Sequence, residues 1–140
     1  MLISTRGRYA LRVLLDLAGQ ESDEYIPLKD IAARQEISLK YLESIMSIMA
    51  KNGMVEGQHG KGGGYRLTRA PEAYRVGDIL RLTEGSLAPV ACLSCDAQPC
   101  SRADRCKTLP LWEKLDALVS GYLDSVSLTD LLADSGLDEK

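Results

Sequence analysis

No apolar run in the sequence approaches the roughly 20 residues that a bilayer-spanning helix needs, which excludes a membrane-crossing helix. The opening residues, Met1-Leu2-Ile3-Ser4-Thr5-Arg6, lack the long apolar stretch and small-residue cleavage site of a secretory signal, so a cytoplasmic protein is expected. Net positive charge is missing as well. Against 17 Lys/Arg stand 20 Asp/Glu, a balance of -3, which argues against a uniformly basic nucleic-acid coat. There is one histidine, His59, about thirty residues before the nearest cysteine, and a lone imidazole so placed is expected to be a polar contact rather than a metal ligand. The single tryptophan, Trp112, is expected to pack in an apolar interface rather than to stack on bases.

A nucleotide-binding P-loop is also absent, although His59-Gly-Lys-Gly-Gly-Gly-Tyr-Arg-Leu67 sets one lysine among glycines. Such a loop needs a glycine, four residues, then Gly-Lys-Ser/Thr opening a helix, because loop amides and the helix N-terminus together cradle phosphates. Here Val55 stands at the leading glycine and Gly62 at the magnesium-binding hydroxyl, while Tyr65-Arg66-Leu67-Thr68 continues as an alternating strand. No bound nucleotide is expected. A thiol–disulfide oxidoreductase built on Cys92 and Cys95 is disfavoured for a similar reason: no strand–helix unit surrounds the pair to lower a thiolate pKa. The chain is not expected to be an enzyme.

What is present fits one compact domain, or a small domain with a partner-dependent extension, in 140 residues that are 45 % apolar and 26 % charged. Charge is divided unevenly: residues 1–84 carry 12 Lys/Arg against 11 Asp/Glu, and residues 85–140 carry 5 against 9. A polyanion partner should therefore face the first part, since phosphate attraction follows the local patch.

From Arg8 to Ala18 the chain is apolar nearly all round, interrupted by Arg12 and Asp16, and reads as a largely buried helix. Pro27-Leu-Lys-Asp-Ile-Ala-Ala-Arg-Gln35 reads as a short second helix broken at Glu36-Ile37. Ser38 then caps a third helix in which Leu42, Ile45, Met46 and Met49 share one face and Asn52-Gly53 supply the stop. Met54-Val55-Glu56 and Tyr65 to Thr68 read as two strands joined by the glycine-rich loop. That order is the order of a winged helix-turn-helix, whose third helix enters the DNA major groove while the wing follows the backbone.

With the apolar face of the third helix turned inward, Lys40, Tyr41, Glu43, Ser44 and Ser47 remain outside near its N-terminus. Lysine reaches guanine, glutamate accepts from a cytosine amino group, and tyrosine or serine holds a phosphate oxygen. The residues expected to face DNA are Thr5, Ser38, Lys40, Tyr41, Glu43, Ser44, His59, Lys61, Gly62 and Gly63. Beyond Pro71, a short strand at Tyr74-Arg75-Val76 and a helix from Val76 to Glu84 are expected as scaffold. A helix carrying Leu111, Leu115, Leu118, Val119 and Tyr122 on one stripe needs a partner surface, for which a homodimer is expected. Ser127-Leu-Thr-Asp130 predicts a capped terminal helix.

All four cysteines, Cys92, Cys95, Cys100 and Cys106, fall in one segment without regular periodicity. In a reducing compartment such a cluster points to metal or redox chemistry rather than to a disulfide frame. Thiolates suit zinc or iron–sulfur clusters, both soft-metal centres. Structural zinc usually takes two close pairs and only Cys92–Cys95 makes one; the wider gaps suit an iron–sulfur cluster, with zinc as the alternative.

Over nearly its full length the chain resembles the Rrf-two family of bacterial regulators, of the IscR/NsrR/CymR-like kind. The resemblance lies in Ser4 to Ala18 of the first helix, in the third helix from Ile37 to Val55, in Gly60 to Leu67, in Val76 to Gly85, and in the cysteine loop running into Leu109 to Leu115. It implies a homodimeric winged-helix transcription factor acting on a palindromic operator, as a repressor or as an activator. It also implies an iron–sulfur cluster, two-iron or four-iron, held by Cys92, Cys100 and Cys106. Two departures concern the fourth ligand: Leu109 stands where IscR-like members have a histidine, and Arg8 lies near the acidic position of NsrR-like members. Cys95 is the candidate substitute. Some members hold no cluster, so control by thiol oxidation, zinc or a protein partner is the alternative to sensing redox, nitric oxide or iron–sulfur status.

The expected class is thus mainly α with a small β wing. A winged helix-turn-helix domain is expected over 1–84, with the helix-turn-helix at about 28–51 and the wing at about 54–68. A cysteine-rich loop over 85–108, a dimerisation helix with a terminal helix over 109–132, and a tail over 133–140 complete the organisation.

Overall fold

The computed structural model of the chain describes residues 3–20, 23–94, 97, 98 and 100–133. Among them the order is α1 (Thr5–Gly19), α2 (Leu28–Gln35), α3 (Leu39–Lys51), β1 (Val55–Gln58), β2 (Gly64–Leu67), α4 (Val76–Glu84), α5 (Leu109–Ser125) and α6 (Leu128–Leu132). Short 3-10 turns occupy Pro71–Ala73 and Ala91–Leu93. None of the described helices is long and apolar enough to cross a membrane.

Helix α1 begins three residues earlier than its apolar pattern suggests, because Ser4 caps it: the Ser4 hydroxyl accepts from the Gly7 N–H at 3.2 Å. Helix α2 stops where Glu36 takes a left-handed conformation at φ 55°, and Ile37 and Ser38 lead directly into α3. Ser38 caps α3 through the Tyr41 N–H at 3.2 Å. Leu42, Ile45, Met46 and Met49 are fully buried, as their spacing requires, and each such burial stabilises by about 1.5–3 kcal/mol. They meet Ala10, Val13, Leu14 and Leu17 of α1, Ile31 of α2 and Val55 of β1 in one core. Leu128 of α6 joins the same core, so the end of the chain packs back against its beginning.

Strands β1 and β2 form an antiparallel hairpin with Val55 opposite Leu67 and Gln58 opposite Gly64. Gly64, at φ 147°, lets Ile26 come alongside: a Cβ there would lie 2.1 Å from the Ile26 carbonyl oxygen. Ile26 and Tyr65 exchange both backbone hydrogen bonds, at 2.8 and 2.9 Å, so the linker before α2 extends the wing by one bridge.

The strand expected at Tyr74-Arg75-Val76 does not form. Only an isolated bridge joins Arg75 to Ser127, because Tyr74 is drawn into the core and Val76 already opens α4. At the other end, the Ser127–Asp130 capping box is complete, with bonds of 2.9 and 3.1 Å.

Helix α5 packs on α4 and has no buried residue of its own. Arg81 of α4 grips Asp124 of α5 with two bonds, at 2.7 and 3.1 Å. Gly77 permits that approach, since a Cβ at its position would lie 1.9 Å from the Asp124 carboxylate. Along α5, Leu111, Leu115, Leu118 and Tyr122 are exposed, Leu118 and Tyr122 lining a pocket with Ile3 and Leu80, while Trp112 is half-buried.

Candidate nucleic-acid interface and cysteine loop

The geometry of α3 separates apolar from polar residues along its length. Lys40, Glu43, Ser44 and Ser47 are exposed on the side away from the core. Lys40 enters no ion pair with a described residue, and neither do His59 and Lys61 at the wing tip. Tyr41 is half-buried, edge-on to Tyr9 of α1 with ring centroids 5.9 Å apart, so its ring braces α3 against α1. Ser44 turns back on its own helix, donating to the Tyr41 carbonyl at 2.6 Å. Ser38 is occupied as the cap, and Thr5, exposed at the start of α1, accepts from the Arg8 guanidinium at 3.1 Å.

In the wing loop, Gly60 and Gly62 lie at φ 90° and 80°, and the Gly63 N–H donates to the Gly60 carbonyl at 3.0 Å. Gly63 therefore closes the turn: a Cβ on it would lie 2.2 Å from the Gln58 carbonyl oxygen. His59, Lys61 and Gly62 are left at the exposed tip.

The wing is tied to the helices through contacts that periodicity does not reveal. Tyr74, 1 % exposed, donates its hydroxyl to the Met54 carbonyl at 2.5 Å and accepts from the Thr68 N–H at 3.0 Å, joining both strand ends. Arg66 lies over the Tyr25 ring and bonds Glu56 at 2.5 Å and the Asp23 carbonyl at 2.9 Å. A cleft of about 780 Å³ opens beside this anchor, with Leu17, Ile26 and Pro71 on its walls.

Arg12 and Asp16 do not pair with each other. Arg12 bonds the side chain and carbonyl of Gln35 and lies over the Tyr9 ring, whereas buried Asp16 accepts from Arg34 at 2.7 Å, Gln35 at 2.9 Å and Gln20 at 3.4 Å. Burial pushes the Asp16 carboxyl up, but bonds from Arg34, Gln35 and Gln20, with the Arg34 charge, outweigh it and hold the carboxyl below its ordinary value. This network fixes α2, and with it the turn before α3. Asp16 amid apolar neighbours was its one sign in the sequence.

Helix α4 ends in a similar tie. Glu84 accepts from the Ser4 N–H at 3.0 Å and from its hydroxyl at 2.6 Å, so the residue just before the cysteine-bearing loop is bonded to the start of α1.

Cys92 and Cys100 are exposed and Cys106 is half-buried; all three are free thiols. Cys95 lies outside the described residues. Among the described residues no three His, Cys, Asp or Glu side chains gather as a metal-binding group, so the structure does not bring the three thiols together. Cys106 lies 3.3 Å from the Thr108 hydroxyl. That hydroxyl, the Thr108 and Leu109 N–H groups at the start of α5, and the Arg102 charge lower its pKa against the smaller opposing effect of desolvation. Three thiols on one loop suit an iron–sulfur cluster or zinc by donor type. Leu109, the first residue of α5, adds no donor, and Arg8 adds none from α1.

The sequence profile of the Rrf2 family, described as an iron-dependent transcriptional regulator, matches residues 3–134. The HTH-type transcriptional regulator IscR of Aliivibrio salmonicida is 36 % identical over 139 residues, which span 99 % of this chain and 82 % of that protein. Among solved structures, CymR, the global cysteine regulator of B. subtilis, superposes with TM-score 0.77 at 35 % identity, covering 95 % of this chain and 97 % of that one. IscR of T. potens superposes with TM-score 0.73 at 35 % identity, covering 96 % and 88 %.

Proposed function

Because the chain belongs to the Rrf2 family of transcriptional regulators, we propose that it acts as a homodimer reading a two-fold-symmetric operator through α3 and the wing. The observation that carries this reading is the exposed polar side of α3, with Lys40 and Glu43, beside a wing whose tip presents Lys61 and His59. Lys61 supplies a phosphate contact at the groove edge, and Glu43 supplies an acceptor for a base edge. Tyr74 and the Ile26–Tyr65 bridge keep the wing at a fixed angle to α3, so helix and wing engage one duplex together. The exposed stripe Leu111, Leu115, Leu118 and Tyr122 gives a second copy its contact surface, and two copies present two α3 helices to two half-sites.

Signal reception belongs to the loop between α4 and α5. Cys92, Cys100 and Cys106 would hold an iron–sulfur cluster, with Cys95 or a partner-subunit residue as the fourth donor. A cluster held there would supply a redox-active centre sensitive to oxidants, nitric oxide or iron supply. The chain's own contribution is mechanical: the loop begins at Gly85, directly after the Glu84–Ser4 tie, and ends at α5. The three separate free thiols also support a second reading, in which thiol oxidation, zinc or a protein partner controls the same DNA-binding unit.

One preparation separates these readings: protein made without oxygen, analysed for iron, sulfide and zinc, then used to select duplexes from a random library. Brown protein with iron and sulfide in equal amounts, selecting a palindromic sequence, meets the first reading. Colourless protein that selects the same palindrome moves control to the second. Protein that selects nothing contradicts both.

A further inference from the structure

Leu39 is the first residue of α3 and is 45 % exposed, whereas the other leucine of that helix, Leu42, and its two methionines are fully buried. It belongs to neither apolar core that the described residues form. A leucine at a helix start often serves as a staple that sets the entry angle, with a residue just before the cap packing on the fourth helical residue. That task is done here by Ile37 and Leu42, both buried. The cap belongs to Ser38, whose hydroxyl holds the Tyr41 N–H at 3.2 Å. Leu39 is therefore surplus to the fold of α3.

Its position gives it another use. Residues 39 and 43 are one helical turn apart, so Leu39 and the exposed Glu43 lie on one edge of α3, with Lys40 beside them. In the major groove a thymine differs from every other base by its C5-methyl group, which apolar groups such as a leucine side chain recognise by contact. The N-terminal turn of a recognition helix is also the part that reaches base edges.

We propose that Leu39 is a specificity-determining residue that packs against a thymine C5-methyl in each half-site, next to the base read by Glu43. This rests on the reading of α3 as the recognition helix and adds a base to what that helix selects.

The test uses the full-length protein and the duplex it selects from a random library. Each thymine of both half-sites is replaced in turn by deoxyuridine, which removes the methyl and leaves every hydrogen-bonding group in place. At one symmetry-related thymine pair the wild-type protein is expected to lose about fourfold in affinity per half-site, the value of one buried methyl. Leu39→Ala is expected to bind the thymine and uracil duplexes equally while still discriminating the base read by Glu43. Because Leu39 lies outside both cores, the variant should melt with the parent.

The proposal is overturned if no uracil substitution weakens wild-type binding, if the selected half-sites contain no thymine, or if Leu39→Ala keeps the parent's thymine preference. Failure to select any duplex would instead strike at the recognition-helix reading itself, and this proposal would fall with it.

Discussion

Replacing Tyr74 by Phe removes one oxygen and leaves the ring, which makes it a clean probe of how the wing is held. The hydroxyl is buried and serves two backbone groups, the Met54 carbonyl at 2.5 Å and the Thr68 N–H at 3.0 Å. Thr68 is exposed, so its N–H gains water in the variant, but Met54 is 7 % exposed and its carbonyl loses this partner without ready access to solvent. Stranding one buried acceptor costs roughly 1–3 kcal/mol, and about 2 kcal/mol is the central expectation. At about 2 cal/mol/K of unfolding entropy per residue, a chain of this length should then lose about 7 °C in Tm. The assay is thermal unfolding of parent and variant followed by far-UV circular dichroism at pH 7. DNA affinity measured in parallel should fall, because both strand ends of the wing lose one anchor. A Tm within about 1 °C of the parent would refute the assignment of this hydroxyl as the tie between strand ends and core.

Three further outcomes follow from the same geometry. Asp16→Asn should lower stability by roughly 1–3 kcal/mol near neutrality, because it removes the charge that Arg34 and Gln35 hold. Since the folded carboxyl sits below its ordinary 3.8, this stability is present above that value and is lost as pH falls through the folded pKa. The Tm gap between parent and Asp16→Asn should accordingly be constant from about pH 5 to 8 and close below about pH 4, and a gap that instead widens there contradicts the pairing. Lys61→Ala should weaken binding to all duplexes alike and reduce the slope of log affinity against log salt by about one per wing; an unchanged slope removes Lys61 from the phosphate contacts. Cys92→Ser, Cys100→Ser and Cys106→Ser should each sharply reduce iron retention, since serine is a poor soft-metal ligand. Cys95→Ser locates the fourth donor: lost iron places it in this loop, and unchanged iron places it elsewhere.

Local chemistry explains which parts of the fold were legible in the chain. Helix α3 announced itself through the spacing of Leu42, Ile45, Met46 and Met49 and through Ser38, because burial period and capping act within a few residues of each other. The Ser127–Asp130 box is equally local. Contacts across the chain left no such trace. Asp16 meets Arg34 from 18 positions away, and Tyr74 reaches back 20 positions to Met54, so neither tie follows from helical or strand spacing. For the same reason Tyr74-Arg75-Val76 looked like a strand: its apolar residues are spent on the core and on α4 rather than on a ladder. The cysteine spacing identified a soft donor set, but their grouping depends on loop geometry that no periodic pattern encodes.

Operator recognition by this chain is tested most directly by titrating a fluorescent duplex of the selected sequence, and a scrambled duplex of equal length, at physiological salt. The selected duplex is predicted to bind at least about a thousandfold more tightly, with two half-sites about one helical turn apart and one dimer per duplex. Equal affinity for the two duplexes would contradict the account.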